Sequence, residues 1–318
     1  MAEEAVPVWL TGVLPVLPTP FTGEDEVDGE ALKRAVDFAA TCGVKTVVTP
    51  AFGSEFYKLD GAERQYVIET AVARARERGM QVVVQCNHHT PRLAARLAGA
   101  AGTSGAAAVA TALPRAFAAS ERQLSDYARR VCEATELPVI VQDWHPGGRP
   151  AGPGFFLALH GQCPNFRLAK LEEPGIGETI RTIQRESAGR VGVLSGWGGS
   201  YAIELHAAGL CGLMPGLALA DVLVAIWRDL GNGGQMQALQ RFSAISPYLQ
   251  FSLQTFEQFH HAEKRLLAAR GVLPTATVRP VTVELTGDAS AYLDLLIAGL
   301  KPLMNNTHLL PSERTVQR

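Results

Sequence analysis

The stretch N-F-R-L-A-K-L-E-E-P-G, Asn165–Gly175, places a lysine inside an apolar, strand-like run and follows it with two glutamates. A lysine partly removed from water loses its proton more readily, and a neutral amine attacks a ketone to form an imine, an electron sink for carbanion chemistry. Glu172 stands two residues on, so in a strand it shares the face of Lys170. These residues alone leave two readings open: Lys170 as imine former, or Lys170 and Glu172 as a structural ion pair. Only six of the 29 basic residues are lysine (Lys33, Lys45, Lys58, Lys170, Lys264 and Lys301). An arginine cannot give up its proton for nucleophilic work, so a lysine in an apolar segment of this chain carries extra information.

Other groups could bind rather than react. S-G-W-G-G-S, Ser195–Ser200, leads from a strand into a helix and exposes backbone N–H groups that suit a carboxylate or phosphate, or simply make a tight turn. F-G-S-E-F, Phe52–Phe56, offers a second set of donors with the Ser54 hydroxyl. His88, His89, Asp143, His145 and Glu172 could be drawn as a metal site, but adjacent strand residues face opposite ways and no H-E-x-x-H or H-x-H pattern is present. No metal is expected. His260 and His261 are expected on a solvated helical surface. Without a G-x-S-x-G elbow, a serine hydrolase is not expected. The first strand is not followed by G-x-G-x-x-G, which weakens a dinucleotide-binding reading.

Short β-branched runs alternate with helical patterns. Strands are expected at Gly12–Leu17, Lys45–Ala51, Gln81–Asn87, Ala106–Leu113, Leu137–Asp143, Phe166–Leu171, Arg190–Gly196 and Cys211–Pro215. Helices are expected at Glu30–Cys42, Asp60–Gly79, Pro91–Gly102, Ser120–Thr135 (opened by a Ser-x-x-Gln capping box), Ile176–Ser187, Ser200–Ala208 and Leu219–Leu230. Eight repeats favour an α/β fold of the closed (β/α)8 TIM barrel type over an open sheet. The barrel is expected over 1–232, appended C-terminal helices over 233–303 and a loose tail over 304–318. Such barrels carry chemistry at the carboxyl ends of their strands. That places Gly53 and Ser54, Gln142 and Asp143, Lys170 and Glu172, Gly196 and Met214 at one mouth.

The 318 residues are 47% hydrophobic and 19% charged, with a formal charge of −2. That balance gives no electrostatic footprint for nucleic acid. No apolar run is long enough for a membrane span, and the acidic N-terminus does not read as a signal peptide. Five scattered cysteines argue against a disulfide framework and a cysteine-based zinc site. A cytoplasmic protein is expected.

Taken in order, G-V-L-P-V-L-P-T-P-F, G-S-E-F-Y-K-L, L-P-V-I-V-Q-D, L-A-K-L-E-E and V-L-S-G resemble the dihydrodipicolinate synthase / N-acetylneuraminate lyase family from about Leu10 to Leu300. Each motif alone is weak; their order and spacing are specific. The resemblance implies that Lys170 is the imine-forming lysine of a class I aldolase-type lyase or dehydratase. It implies a 2-oxo acid such as pyruvate as substrate, backbone N–H groups near Gly53–Ser54 for its carboxylate, and Arg149 in the place of the family's strand-five arginine. It further implies a homo-oligomer, dimer or tetramer, with no organic cofactor and no metal.

The departures bear on mechanism. Where the family carries a proton-transferring tyrosine after strand five, this chain has Gln142. The relay threonine is replaced by Gly53 with Ser54 beside it, and the second relay tyrosine aligns near Ala116. A glutamine is no general base. Glu172, Glu173, Asp143, His145 and His89 are candidates to move the proton, Glu172 foremost because it shares the face of Lys170. The expected function is therefore a lyase for some other 2-oxo acid, by aldol cleavage, condensation or dehydration, and not dihydrodipicolinate synthase itself. The alternative from another class is an inactive barrel serving as a small-molecule binding or regulatory protein. A metal-dependent aldolase is a third.

Overall fold

Runs of valine, isoleucine and leucine build strands buried on both faces, as a parallel sheet wrapped by helices requires. The computed structural model describes residues 5–115, 118–144 and 149–304. Eight parallel strands are ordered β1-β8-β7-β6-β5-β4-β3-β2. They are β1 Gly12–Val13, β2 Thr46–Thr49, β3 Gln81–Gln85, β4 Ala108–Ala112, β5 Val139–Asp143, β6 Phe166–Leu171, β7 Gly192–Ser195 and β8 Gly212–Leu213. The chain just after β1 closes the ring, since Val16 bridges both Val48 and Gly216. Proline at position 15 has no N–H to donate, and β1 is accordingly shorter than expected.

The helices between strands are α1 Gly29–Thr41, α2 Gly61–Glu77, α3 Pro91–Ala101, α4 Glu121–Glu133, α5 Pro153–Gln162, α6 Gly177–Glu186, α7 Ala202–His206 and α8 Ala220–Gly231. The Ser120–Gln123 capping box opens α4 in both directions, with bonds of 2.9 and 3.3 Å. Helix α5 was not expected, because G-R-P-A-G-P-G reads as loop. Pro153 occupies its first turn, where a missing N–H costs nothing.

Alternation along the strands divides the core. Val83, Ala108, Ala110, Ile140, Leu168, Leu194 and Met214 fill the barrel. Val82, Val84, Val109, Val139, Val141 and Ala169 face the helices. The interior positions one step further along β3, β5 and β6 are Gln85, Gln142 and Lys170, so the apolar filling ends in a polar layer at the carboxyl rim.

Three more helices follow: α9 Gln235–Ser252, α10 Phe256–Ala269 and α11 Gly287–Met304. The expected loose tail lies, from residue 305 on, outside the described residues. Helix α10 is anchored by buried charge. Glu55, fully buried in the left-handed conformation after β2, is bonded to Lys264 and lies 3.0 Å from Lys58. It also accepts the Arg279 N–H. Lys264 is pushed down to about 8 by burial, with Glu55 opposing the shift. His260 is 1% exposed rather than solvated, 3.1 Å from the Tyr57 hydroxyl, and burial pushes it down to about 4. The surface expected for this His pair is corrected on that point: α10 turns His260 toward the loop after β2.

Glu263, also on α10, is buried and accepts the Ala218 N–H at 2.7 Å. A Cβ on Gly216 would lie 2.6 Å from this carboxylate, so glycine is required there. Burial raises Glu263 to about 7. The native state therefore holds this proton more tightly than the unfolded chain, so the contribution is full below about pH 4.5 and lost as pH rises through 7. Between pH 5 and 7.5 the loss is about 2 kcal/mol. Glu263→Gln, which keeps the acceptor, is expected to abolish that part of the decline in denaturant unfolding followed across this range.

Among the described residues no helix is long and apolar enough to cross a membrane.

Candidate active site

Lys170 rises from β6 into the carboxyl end of the barrel and is 7% exposed. Its Nζ stands 2.8 Å from Glu172 Oε1. The same carboxylate oxygen accepts Gln142 Nε2 at 2.5 Å. Gln142 and Lys170 are register partners on β5 and β6, which sets their side chains next to each other.

The amides continue across the barrel. Gln85 Nε2 donates to Gln142 Oε1 at 2.9 Å, and Asn87 Nδ2 donates to Gln85 Oε1 at 3.1 Å. Asn87 Oδ1 accepts the Ala112 N–H at 2.7 Å. A backbone donor at one end and a carboxylate at the other fix the orientation of every amide between them. All of these amide N–H donors point toward Glu172. Gln142, standing where the resemblance implies a tyrosine, thus aims the glutamate and moves no proton itself.

Lys170, Glu172, Gln142, Gly53 and Met214 line one cavity of about 210 Å3. Gly196 abuts it: a Cβ there would lie 2.5 Å from Glu172 Oε1 and 2.8 Å from Lys170 Cε. Only glycine leaves the pair its space. The roof comes from elsewhere in the chain, with Phe256 and Phe259 of α10, Leu253 before it, and Trp144 and Trp197 from the β5 and β7 rims.

Three expected binding residues are placed elsewhere. Ser54 is fully buried behind the loop, where its hydroxyl donates to the Leu17 carbonyl and accepts the Ala51 N–H. It braces the turn that presents Gly53. Asp143, the next residue along β5 from Gln142, points away from the barrel axis. It forms a two-toothed ion pair with Arg115 at 2.8 and 2.9 Å and accepts the Ala151 N–H. Arg149 is exposed and does not line the cavity.

Among the described proton-transfer candidates, Glu172 alone lines the cavity with Lys170. The Glu173 carboxylate accepts the Glu172 N–H at 3.2 Å, and His89 lines a separate bay. His145 lies outside the described residues, as does Ala116. Among the described residues no group of three or more His, Cys, Asp or Glu side chains is placed to hold a metal ion.

The arrangement can do one kind of chemistry well. An amine and a carboxylate, 2.8 Å apart in a largely apolar cavity, can form an imine and then move a proton on the carbon beside it.

Comparison with known proteins agrees with the fold. The model of the dihydrodipicolinate synthetase family matches residues 9–149. L-2-keto-3-deoxyarabonate dehydratase of Azospirillum brasilense is 27% identical over 299 residues, which is 92% of this chain and 95% of that protein. N-acetylneuraminate lyase of Citrobacter koseri is 28% identical over 133 residues, covering 42% and 44% of the two chains. The crystal structure of dihydrodipicolinate synthase from Rhodopseudomonas palustris superposes with a TM-score of 0.84 at 25% identity, over 93% of this chain and 99% of that one.

Proposed function

We propose that this chain, a lyase of the dihydrodipicolinate synthetase family, works through an imine on Lys170 and dehydrates a 3-deoxy-2-oxo sugar acid. The observation that carries the reading is the buried Lys170–Glu172 pair at the end of the amide chain, at 2.8 Å. Dehydration is favoured among the family's reactions because the curated relative alike in sequence over nearly its whole length is a dehydratase, whereas the sequence likeness to the lyase spans less than half of either chain.

Lys170 Nζ adds to the C2 carbonyl, and the carbonyl oxygen leaves as water. The protonated imine withdraws electrons from C3, two bonds from the nitrogen, and the Glu172 carboxylate takes a C3 proton. The resulting enamine expels the C4 hydroxyl, to which Glu172 returns the proton, so that it departs as water. Hydrolysis of the imine consumes one water and frees Lys170. The net change is loss of one water from the substrate. Gly53 faces the cavity and offers backbone for the 2-carboxylate. The apolar walls strengthen each of these charge interactions.

Gln142 at the tyrosine position argues against dihydrodipicolinate synthase itself, since an amide cannot relay a proton. Incubation with pyruvate and borohydride is expected to add one reduced pyruvyl group, located on Lys170 by peptide mass mapping and absent from Lys170→Ala. No adduct with any of a panel of 2-oxo acids would sink the proposal and leave a binding barrel.

A further inference from the structure

Three aromatic rings close one end of the Lys170 cavity. Phe52 comes from the turn after β2, Trp144 from the rim of β5 and Phe256 from the first turn of α10. Phe52 and Phe256 are stacked with centroids 5.2 Å apart, Trp144 lies 4.6 Å from Phe256, and Phe52 lies 5.5 Å from Trp144. Each ring touches the other two. All three also line a second bay of about 700 Å3 on the far side. The cluster is therefore a partition between two chambers, and only the smaller one contains Lys170.

The bay differs in character from the cavity. Arg115 lines it but already carries Asp143 as counter-ion. Arg64 lines it too, and its guanidinium bonds only to the carbonyls of Gln85 and Asn87. Its Nε is buried without a partner, and no carboxylate among the described residues pairs with it. Burial pushes Arg64 below the usual guanidinium range, as expected for a cation that has lost water and gained no anion. His88 beside it is lowered as well, chiefly by burial, so it does not add a competing charge at neutral pH.

We propose that the Phe52–Trp144–Phe256 partition sets the length of 2-oxo acid that reaches Lys170, and that opening it joins the site to a bay suited to a long 2-oxo acid with an anionic end. The inference rests on the imine reading above. The three rings stand between the cavity of Lys170 and the bay, so a chain that extends from the imine in that direction meets them. Beyond the wall, Arg64 supplies the counter-charge that favours a terminal carboxylate over a terminal methyl of equal length.

The test is borohydride trapping on wild type, Phe256→Ala and Trp144→Ala, each with pyruvate, 2-oxooctanoate and 2-oxooctanedioate, read by intact mass as the ratio of long to short adduct. Wild type is expected to trap pyruvate and to trap both eight-carbon acids at least about tenfold less. Either wall variant is expected to raise that ratio roughly tenfold, the diacid more than the monoacid, and Arg64→Met in the same background to erase the diacid's advantage. The ratio is independent of any general loss of reactivity, and two variants guard against one failing to fold. Efficient trapping of eight-carbon acids by wild type, or unchanged ratios in both variants, overturns the partition. Equal gains for diacid and monoacid overturn the role of Arg64. If wild type traps no acid at all, the imine reading fails and the partition falls with it; trapping of pyruvate alone with unchanged ratios leaves the imine standing.

Discussion

Replacing Glu172 by glutamine is expected to lower turnover by about 10²- to 10⁴-fold while borohydride still traps an adduct on Lys170. The separation follows from what each step needs. Imine formation needs an amine and a carbonyl, and both remain. The later proton transfers need a group that can both take and give a proton, which an amide cannot do. The substitution is nearly isosteric, and the new Oε1 can still accept from Gln142 and Lys170, so the amide chain keeps its direction. The loss should therefore fall on kcat rather than on stability. It should be accompanied by imine that accumulates without being processed, visible as a faster approach to full labelling than to product. Loss of the adduct together with turnover would mean that Glu172 serves imine formation itself. Unchanged turnover would mean that another group moves the proton.

The proposed function also accounts for a lyase without the tyrosine relay that the resemblance implies. A tyrosine above the imine shuttles protons through its own hydroxyl. Here Gln142 occupies that place and cannot shuttle, but its N–H holds Glu172 2.8 Å from Lys170. Under the proposed function the proton-moving group stands just past β6 instead of on β5, and Gln142 of β5 is its positioner. This arrangement requires Gly196, because any side chain at that position would collide with the carboxylate.

Much of this was legible in the residues. Lys170 and Glu172 stand out because a charged pair at i, i+2 interrupts an apolar strand, and strand alternation puts both on the inner face. Strand β6 falls where expected, at Phe166–Leu171. Gln85 is absent from the expected site residues, although Q-V-V-V-Q carries its signal: it alternates with Val83, which fills the barrel. By the same alternation Asp143 points outward, because its neighbour Gln142 points inward, and it pairs with Arg115 instead of facing the cavity. A hydroxyl in a glycine turn suits a ligand, but the Ser54 hydroxyl donates to a backbone carbonyl 37 residues earlier in the chain, at Leu17, which its local sequence does not show. The roof was not legible. Phe256 and Phe259 sit in a helical pattern with no local sign of chemistry, and only tertiary packing of α10 over the β2 loop brings them to the cavity. Lys264 was hidden in the same way, inside H-H-A-E-K-R, which reads as a solvated helix face.

Lys264→Met is expected to destabilise the protein by about 3 kcal/mol, at the lower end of what breaking a buried ion pair costs. The methionine fills much of the volume, so the cavity contribution is small. The main cost is electrostatic. Glu55 is fully buried and would keep Lys58 at 3.0 Å and the Arg279 N–H at 3.2 Å, but lose its most buried cation. The Thr277 carbonyl, which accepts from Lys264 at 2.8 Å, would also be left unpaired. Loss of the cation over the Phe21 ring, 4.4 Å from its centroid, adds a smaller amount. Denaturant unfolding at pH 7 measures the total. The double variant Lys264→Met with Glu55→Gln should recover most of the loss, because no uncompensated charge remains. If the double variant is no better than the single one, packing and not charge is what Lys264 supplies. The damage should reach the site as well. Glu55 follows directly on Gly53–Ser54, and Lys264 lies on the helix that carries Phe256 and Phe259. The single variant should therefore also trap pyruvate more slowly, and the double variant should recover trapping in step with stability.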